Sequence, residues 1–197
     1  MGRQMTPEEV DTSYRDWPYL DAPAGSTPWT PLWRAVLDEI RPDDRVLDVG
    51  CGAGHLSALR FARDGSHGFW TGIDFSRVAI EAARRRKDTD PAASFEVMDG
   101  SKLVSWMFDV SDVVVFSEVL EHVEDDLTML ALVSKGRRIV LTVPNFDSAG
   151  HCRYFQCSEE VLGRYGPLLD PKSEIHSYPV ESATPGRRWF LLSGVRA

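Results

Sequence analysis

Apolar and polar positions alternate along the chain at two periods. From Thr30 the residues Leu32, Trp33, Val36, Leu37 and Ile40 fall at helical spacing, with Thr30 placed as an N-cap, Pro31 in the first helical position and Pro42 as the stop. Beyond it, the pattern predicts strands over 45–49, 69–74, 94–98, 112–116 and 137–143, interleaved with helices over 55–63, 76–87, 126–134 and 158–165. Such alternation predicts an α/β fold, a mostly parallel sheet with helices on both faces. The runs Val113-Val114-Val115-Phe116 and Ile139-Val140-Leu141 suit strands covered on both sides. The tail breaks the rule: two strand-like segments, 174–180 and 188–195, are joined by a turn-rich linker at 181–186 with no helix between them. An antiparallel pair is expected to close the sheet.

Residues 1–29 show weak periodicity and much Pro, Gly, Asp and aromatic character, so they read as an irregular arm with a short helix near 6–14, ahead of one domain over 30–197. The length of 197 residues suits a single domain, and 43% hydrophobic with 26% charged residues is ordinary globular composition. Thirty acidic against 22 basic residues give a net charge of −8, which weighs against nucleic acid as a partner. Three cysteines without C-x-x-C spacing indicate neither a disulfide framework nor a zinc cluster, and a reducing cytoplasm fits. No apolar run resembles a signal sequence or reaches membrane-spanning length, so a location outside membranes is expected.

The most informative stretch is Asp48-Val49-Gly50-Cys51-Gly52-Ala53-Gly54, a strand running through a glycine turn into a helix. Glycines there let the backbone approach a ligand closely. The spacing G-x-G-x-G departs from the G-x-G-x-x-G fingerprint of dinucleotide sites, which argues against a NAD-binding oxidoreductase. Twenty residues on, a strand ends in Asp74, followed by Phe75; such a carboxylate can accept from both ribose hydroxyls, and the aromatic can stack on a base. The third strand runs into Asp99 and Gly100. Cys51 is read as a small residue lining the loop, since no motif pairs it with a histidine.

Together these features resemble class I S-adenosylmethionine-dependent methyltransferases. The resemblance covers roughly residues 30 to 195 and implies a Rossmann-like, seven-stranded sheet in the order 3-2-1-4-5-7-6. It implies S-adenosyl-L-methionine as cofactor and S-adenosyl-L-homocysteine as product. Asp48, Gly50, Cys51, Gly52 and Gly54 would line the methionine and ribose portions, Asp74 and Phe75 the ribose and base, Asp99 and Gly100 the adenine, with Ser117 nearby. A module that binds the cofactor without turnover is the alternative outside enzymes.

After the fourth strand comes Ser117-Glu118-Val119-Leu120-Glu121-His122, at the carboxyl end of the sheet where ligands bind. In a helical turn Glu118, Glu121 and His122 would share a face and could hold a divalent ion. The motif looks like that of ubiquinone-biosynthesis O-methyltransferases and RNA 3′-terminal 2′-O-methyltransferases, which implies Mg²⁺ or another divalent metal beside the methylated hydroxyl, with His151 as a further ligand. The metal-free alternative leaves Glu118 near the cofactor and His122 positioning the turn. As catalytic residues, His122 or His151 has an intrinsic pKa suited to a general base. His55, His67 and His176 are read as structural or surface residues. Arg153 is a candidate for meeting an anionic acceptor, and Tyr14, Trp17 and Trp29 for a lid. The expected activity is methyl transfer to a small molecule, at oxygen; nitrogen or an RNA end are the alternatives.

Overall fold

The computed structural model describes residues 2–65, 69–99, 102–180 and 185–197. A seven-stranded sheet runs in the order β3-β2-β1-β4-β5-β7-β6, as the resemblance implies. The strands are β1 (Val46–Val49), β2 (Trp70–Asp74), β3 (Ser94–Val97), β4 (Val113–Ser117), β5 (Arg138–Pro144), β6 (Glu174–Pro179) and β7 (Arg188–Val195). The first five pair in parallel, whereas β7 lies antiparallel to both β5 and β6. The expected hairpin therefore closes the sheet.

Two cores follow from the strand period of two. Val46, Val113, Val115 and Val140 point to one face, where they meet Val36 and Leu37 of α2 (Thr30–Asp38), Leu56 and Leu59 of α3 (His55–Asp64), and Ile80 of α4 (Arg77–Arg85). Leu47, Val114, Phe116, Ile139 and Leu141 point to the other, against Phe108 of α5 (Ser105–Asp109), Leu130 of α6 (Asp126–Ala131) and Tyr165 of α7 (Ser158–Tyr165). Every residue of β1 is buried and only the last of β4 is not, which explains the unbroken apolar run of β4 and leaves Asp48 as a polar side chain buried within β1.

Several boundaries differ from the sequence pattern. Thr30 is the first helical residue of α2 rather than its cap; Trp29 takes the cap position and the buried Thr30 hydroxyl donates to the Ala24 carbonyl, 3.0 Å away. The crossover from β3 to β4 contains α5, which the pattern did not show. Helix α6 stops at Ala131, short of the expected end at 134.

The arm is more ordered than its composition suggests. Helix α1 (Pro7–Arg15) is opened by a capping box in which the Thr6 side chain accepts from Glu9 N–H while Glu9 accepts from Thr6 N–H. It packs on α4, where Asp11 Oδ1 accepts from the Ser76 hydroxyl at 2.5 Å and from Val78 N–H at 3.3 Å. No residue of α1 is buried. Among the described residues, no helix is long and apolar enough to cross a membrane.

Candidate active site

The carboxyl ends of β1, β2, β4 and β5 open on one cleft. A parallel sheet aims these ends the same way, and the turns that follow them carry the polar groups. Gly50, Gly52 and Gly54 all have positive φ, between +53° and +75°. An alanine at 50 would drive its Cβ into Val119 Cγ2, and one at 54 would meet Phe95 at 3.2 Å. The loop folds back on Asp74, whose Oδ2 accepts from Gly52 N–H at 3.0 Å and whose Oδ1 accepts from Ser76 N–H at 2.8 Å. Burial pushes the Asp74 carboxyl up to about 6 against the pull of those two donors.

Asp48 lies beneath the loop, 2% exposed, with no hydrogen-bond partner for its Oδ2. Burial, and then the charge of Asp74, raise it to about 8. Cys51 is buried, and burial pushes its thiol well up, which disfavours a thiolate there.

A cavity of about 510 Å³ runs from this loop to the other end of the cleft. Asp48, Gly50, Cys51 and Gly52 wall one end; Ser117, Glu118, His122 and His151 wall the other. Trp17, Trp29 and Trp33 line the cavity beside His55. His55 is held between two of them, stacked on Trp33 with centroids 5.3 Å apart and edge-on to Trp17 at 5.4 Å. His55 is thus structural, as expected, and also borders the cavity.

The turn after β4 is not the α-helical face expected from its spacing. Glu118 sits in the left-handed region with φ +57°, and Leu120–His122 form a single 3₁₀ turn. Such strain in a non-glycine residue persists where its surroundings over-determine it. Here Thr142 and Trp189 do so: Glu118 Oε1 accepts from Thr142 Oγ1 at 3.2 Å and Oε2 from Trp189 Nε1 at 2.8 Å. Burial lifts the Glu118 carboxyl to about 7 despite these donors.

Glu118 is consequently parted from the group it was expected to join. Ligand-type atoms of Glu121, His122 and His151 lie within 4.8 Å of one another. Neither carboxylate oxygen of the fully buried Glu121 has a hydrogen-bond partner, and burial together with Glu118 pushes its carboxyl well up. His122 Nδ1 faces the Gly150 carbonyl at 3.1 Å, and His151 Nδ1 faces the Phe146 carbonyl at 3.1 Å. A carbonyl only accepts, so both rings carry the proton on Nδ1 and leave Nε2 as an acceptor. Two neutral imidazoles oriented by backbone carbonyls and one unpartnered carboxylate are a donor set that fits a divalent cation. Burial lowers His122 to about 4, well below the near-neutral value its type suggested for a general base, and moves His151 in the same direction.

Other expected residues fall elsewhere. Phe75 borders a smaller cavity with Asp74. Asp99 borders neither cavity and its carboxylate lies 3.8 Å from Lys102 Nζ, while Gly100 and His67 lie outside the described residues. Arg153 does not face an acceptor: its guanidinium donates to the carbonyls of Leu120, Val123 and Glu124 and pairs with buried Asp126 at 3.3 Å. It holds the turn behind Glu121 in place. Trp189, Phe146 and Arg187 line the cavity and were not anticipated. Trp189 comes from an antiparallel strand whose alternation gives no chemical signal.

A glycine loop after β1, a carboxylate at the end of β2 and a sheet closed by an antiparallel β7 define the class I S-adenosylmethionine-dependent methyltransferases. A family model described as "Methyltransferase domain" matches residues 40–148, more than half of the chain, and the chain belongs to that family. It is 36% identical over 138 residues to an uncharacterised 37.1 kDa protein in transposon TN4556 of Streptomyces fradiae, covering 66% of this chain and 39% of that one. It is 36% identical over 104 residues to the mitochondrial ubiquinone biosynthesis O-methyltransferase of Schizosaccharomyces pombe, covering 50% of this chain and 37% of the relative. The chain thus spans about two-fifths of the length of these relatives. In fold it is similar to a protein from the Haloferax volcanii complex with the Trm112 methyltransferase activator, with TM-score 0.72, 20% identity, and coverage of 100% of this chain and 99% of that chain.

The residues present fit the cofactor of this class. Asp48 offers an unpartnered buried oxygen to a cationic group, the glycine loop leaves room for close approach, and Asp74 is placed to accept from a diol.

Proposed function

We propose that residues 30–197 transfer a methyl group from S-adenosylmethionine to a hydroxyl of a small-molecule acceptor, with residues 1–29 as an arm over the site. One observation carries this reading: a single cavity of about 510 Å³ joins the glycine loop and Asp48 to Ser117, His122 and His151. A cofactor held at the first end directs its sulfonium methyl toward the second. The size of the cavity suits a compact acceptor, and the net charge of −8 disfavours an RNA end. The O-methyltransferase name of the ubiquinone-pathway relative agrees with transfer to oxygen.

The cofactor supplies the reactive methyl group; the chain supplies alignment. Displacement at a sulfonium methyl needs the nucleophile in line and water kept away, rather than covalent help. Trp17, Trp29 and Trp33 wall the cavity with apolar surface. When no cation occupies them, the Nε2 atoms of His122 and His151 accept from the acceptor hydroxyl and hold it in line. Glu121, His122 and His151 would hold a divalent cation, which when bound would polarise the acceptor oxygen.

Incubation with S-adenosylmethionine labelled in its methyl group and a panel of phenols, sugars, carboxylates and short RNAs tests this reading. Label recovered as a methyl ether or ester of a small molecule is expected. Label in RNA alone, or only on nitrogen, would contradict it.

A further inference from the structure

A second cavity of about 230 Å³ lies on the other side of the glycine loop, bordered by Met5, Val10, Asp74, Phe75 and Val119. Tyr14 of α1, Gly50, Glu118 and His122 border both this cavity and the larger one. The Tyr14 phenol lies over Gly52, its oxygen 2.9 Å from the place a Cβ there would take, and it faces the Asp74 carboxylate. The two cavities are therefore lobes of one crevice, parted by a side chain of the arm.

We propose that Tyr14 is a gate that stands in the ribose subsite, so that the arm as seen here is the cofactor-excluding state. This rests on the reading of Asp74 as the acceptor for the ribose hydroxyls. A molecule reaching from Asp48 past Gly52 to Phe75 has to pass between Gly52 and Asp74, and the phenol already lies against both. Binding thus exchanges a phenol for a diol at the same carboxylate.

The arm is built to leave at small cost. Helix α1 buries none of its residues. It is fastened by Asp11 on Ser76 and Val78, by reciprocal bonds between Gln4 and Glu124 at the surface, and by Gly2 N–H on the His151 carbonyl at 2.9 Å. The bonds between Gln4 and Glu124 are exposed and those of Asp11 are part-buried; the Tyr14 phenol and Trp17 on His55 supply the rest of the hold, and a segment held by so few contacts opens more readily than the core. The capping box lets α1 move as a unit. Because Gly2 is tied at His151 and Tyr14 lies at Asp74, one movement uncovers the acceptor end and the cofactor end together.

When a ligand binds only the open state, its apparent dissociation constant is raised by the inverse of the open fraction. Calorimetry and stopped-flow measurements with S-adenosylhomocysteine on the full chain, Tyr14→Ala and Asp11→Ala test the proposal. Tyr14→Ala is expected to bind about tenfold more tightly than the unaltered chain, corresponding to an arm closed about nine-tenths of the time. Its association should be faster as well, with Asp11→Ala intermediate. Amide exchange in residues 7–15 should quicken when S-adenosylhomocysteine is added. Measurable but equal or weaker binding by Tyr14→Ala overturns the gate and leaves the reading of Asp74 standing. No binding by any of the three proteins overturns both.

Discussion

The rings of His122 and His151 meet edge to face, their centroids 4.7 Å apart. Each is fixed by a backbone carbonyl on its Nδ1, so the pair is oriented before any ligand arrives. Neither ring belongs to the glycine loop proposed to hold the cofactor. His122→Ala should therefore lower kcat by roughly 10²-fold, the scale of loss when a nucleophile is no longer held in line. Binding of S-adenosylhomocysteine should be nearly unchanged in calorimetry. Loss of cofactor affinity with kcat preserved would reverse the assignment.

Glu121 lies beside that pair with both oxygens unpartnered. A divalent cation satisfies such a group, and binding to the folded state alone raises thermal stability. Mn²⁺ or Mg²⁺ should raise the Tm of the dialysed protein, and Glu121→Ala should abolish that rise. Full activity in EDTA would remove the cation from the account while leaving the histidines in place.

Asp48 and Asp74 are carboxylates whose folded pKa values, about 8 and about 6, lie above the unfolded ones. The sign follows from linkage: their contribution to stability is fully present below the unfolded values near pH 4 and is lost as pH rises through about 6 and about 8. Asp48→Asn should accordingly leave the free protein as stable or more stable at pH 7.5 while weakening cofactor binding. A large fall in Tm would show that the ionised group stabilises the fold. The affinity of the unaltered chain for S-adenosylhomocysteine should also drop as pH falls below about 6, where Asp74 takes up a proton.

Asp126 is buried with Arg164 at 2.6 Å, Arg153 at 3.3 Å and the Tyr165 hydroxyl at 2.8 Å. Removing the carboxylate strands a buried guanidinium, so Asp126→Ala should destabilise by about 3–5 kcal/mol in urea unfolding. Arg153→Ala should lower stability with little change in KM for the acceptor. A selective rise in KM would restore Arg153 as an acceptor contact.

Much of the fold is legible in the sequence. Buried parallel strands must be apolar on both faces, so Val113–Val115 declared β4. A loop with three positive φ values demands glycine, so Gly50, Gly52 and Gly54 declared the tight turn between β1 and α3. Asp74 is legible as the end of β2, the strand beside β1, where carboxyl ends face the cleft. Glu118 was not, since nothing in a glutamate announces a φ of +57° or a bond to Trp189 at the far end of the sequence. Helix α5 is a five-residue piece with no period to detect. Arg153 misled because a basic residue on a loop looks the same whether it meets a ligand or three carbonyls. Tyr14 is legible as a lid candidate, but an aromatic in an arm does not say which carboxylate it will cover.

The most direct test of the central claim is calorimetric titration of the full chain with S-adenosylhomocysteine and with NAD, repeated on Asp74→Asn. The account predicts one site for S-adenosylhomocysteine, no measurable site for NAD, and affinity for S-adenosylhomocysteine reduced at least tenfold in the variant, about the 1.5–3 kcal/mol of hydrogen bonds to a charged group. Binding of NAD in preference to S-adenosylhomocysteine, or S-adenosylhomocysteine affinity indifferent to the loss of Asp74, would contradict it.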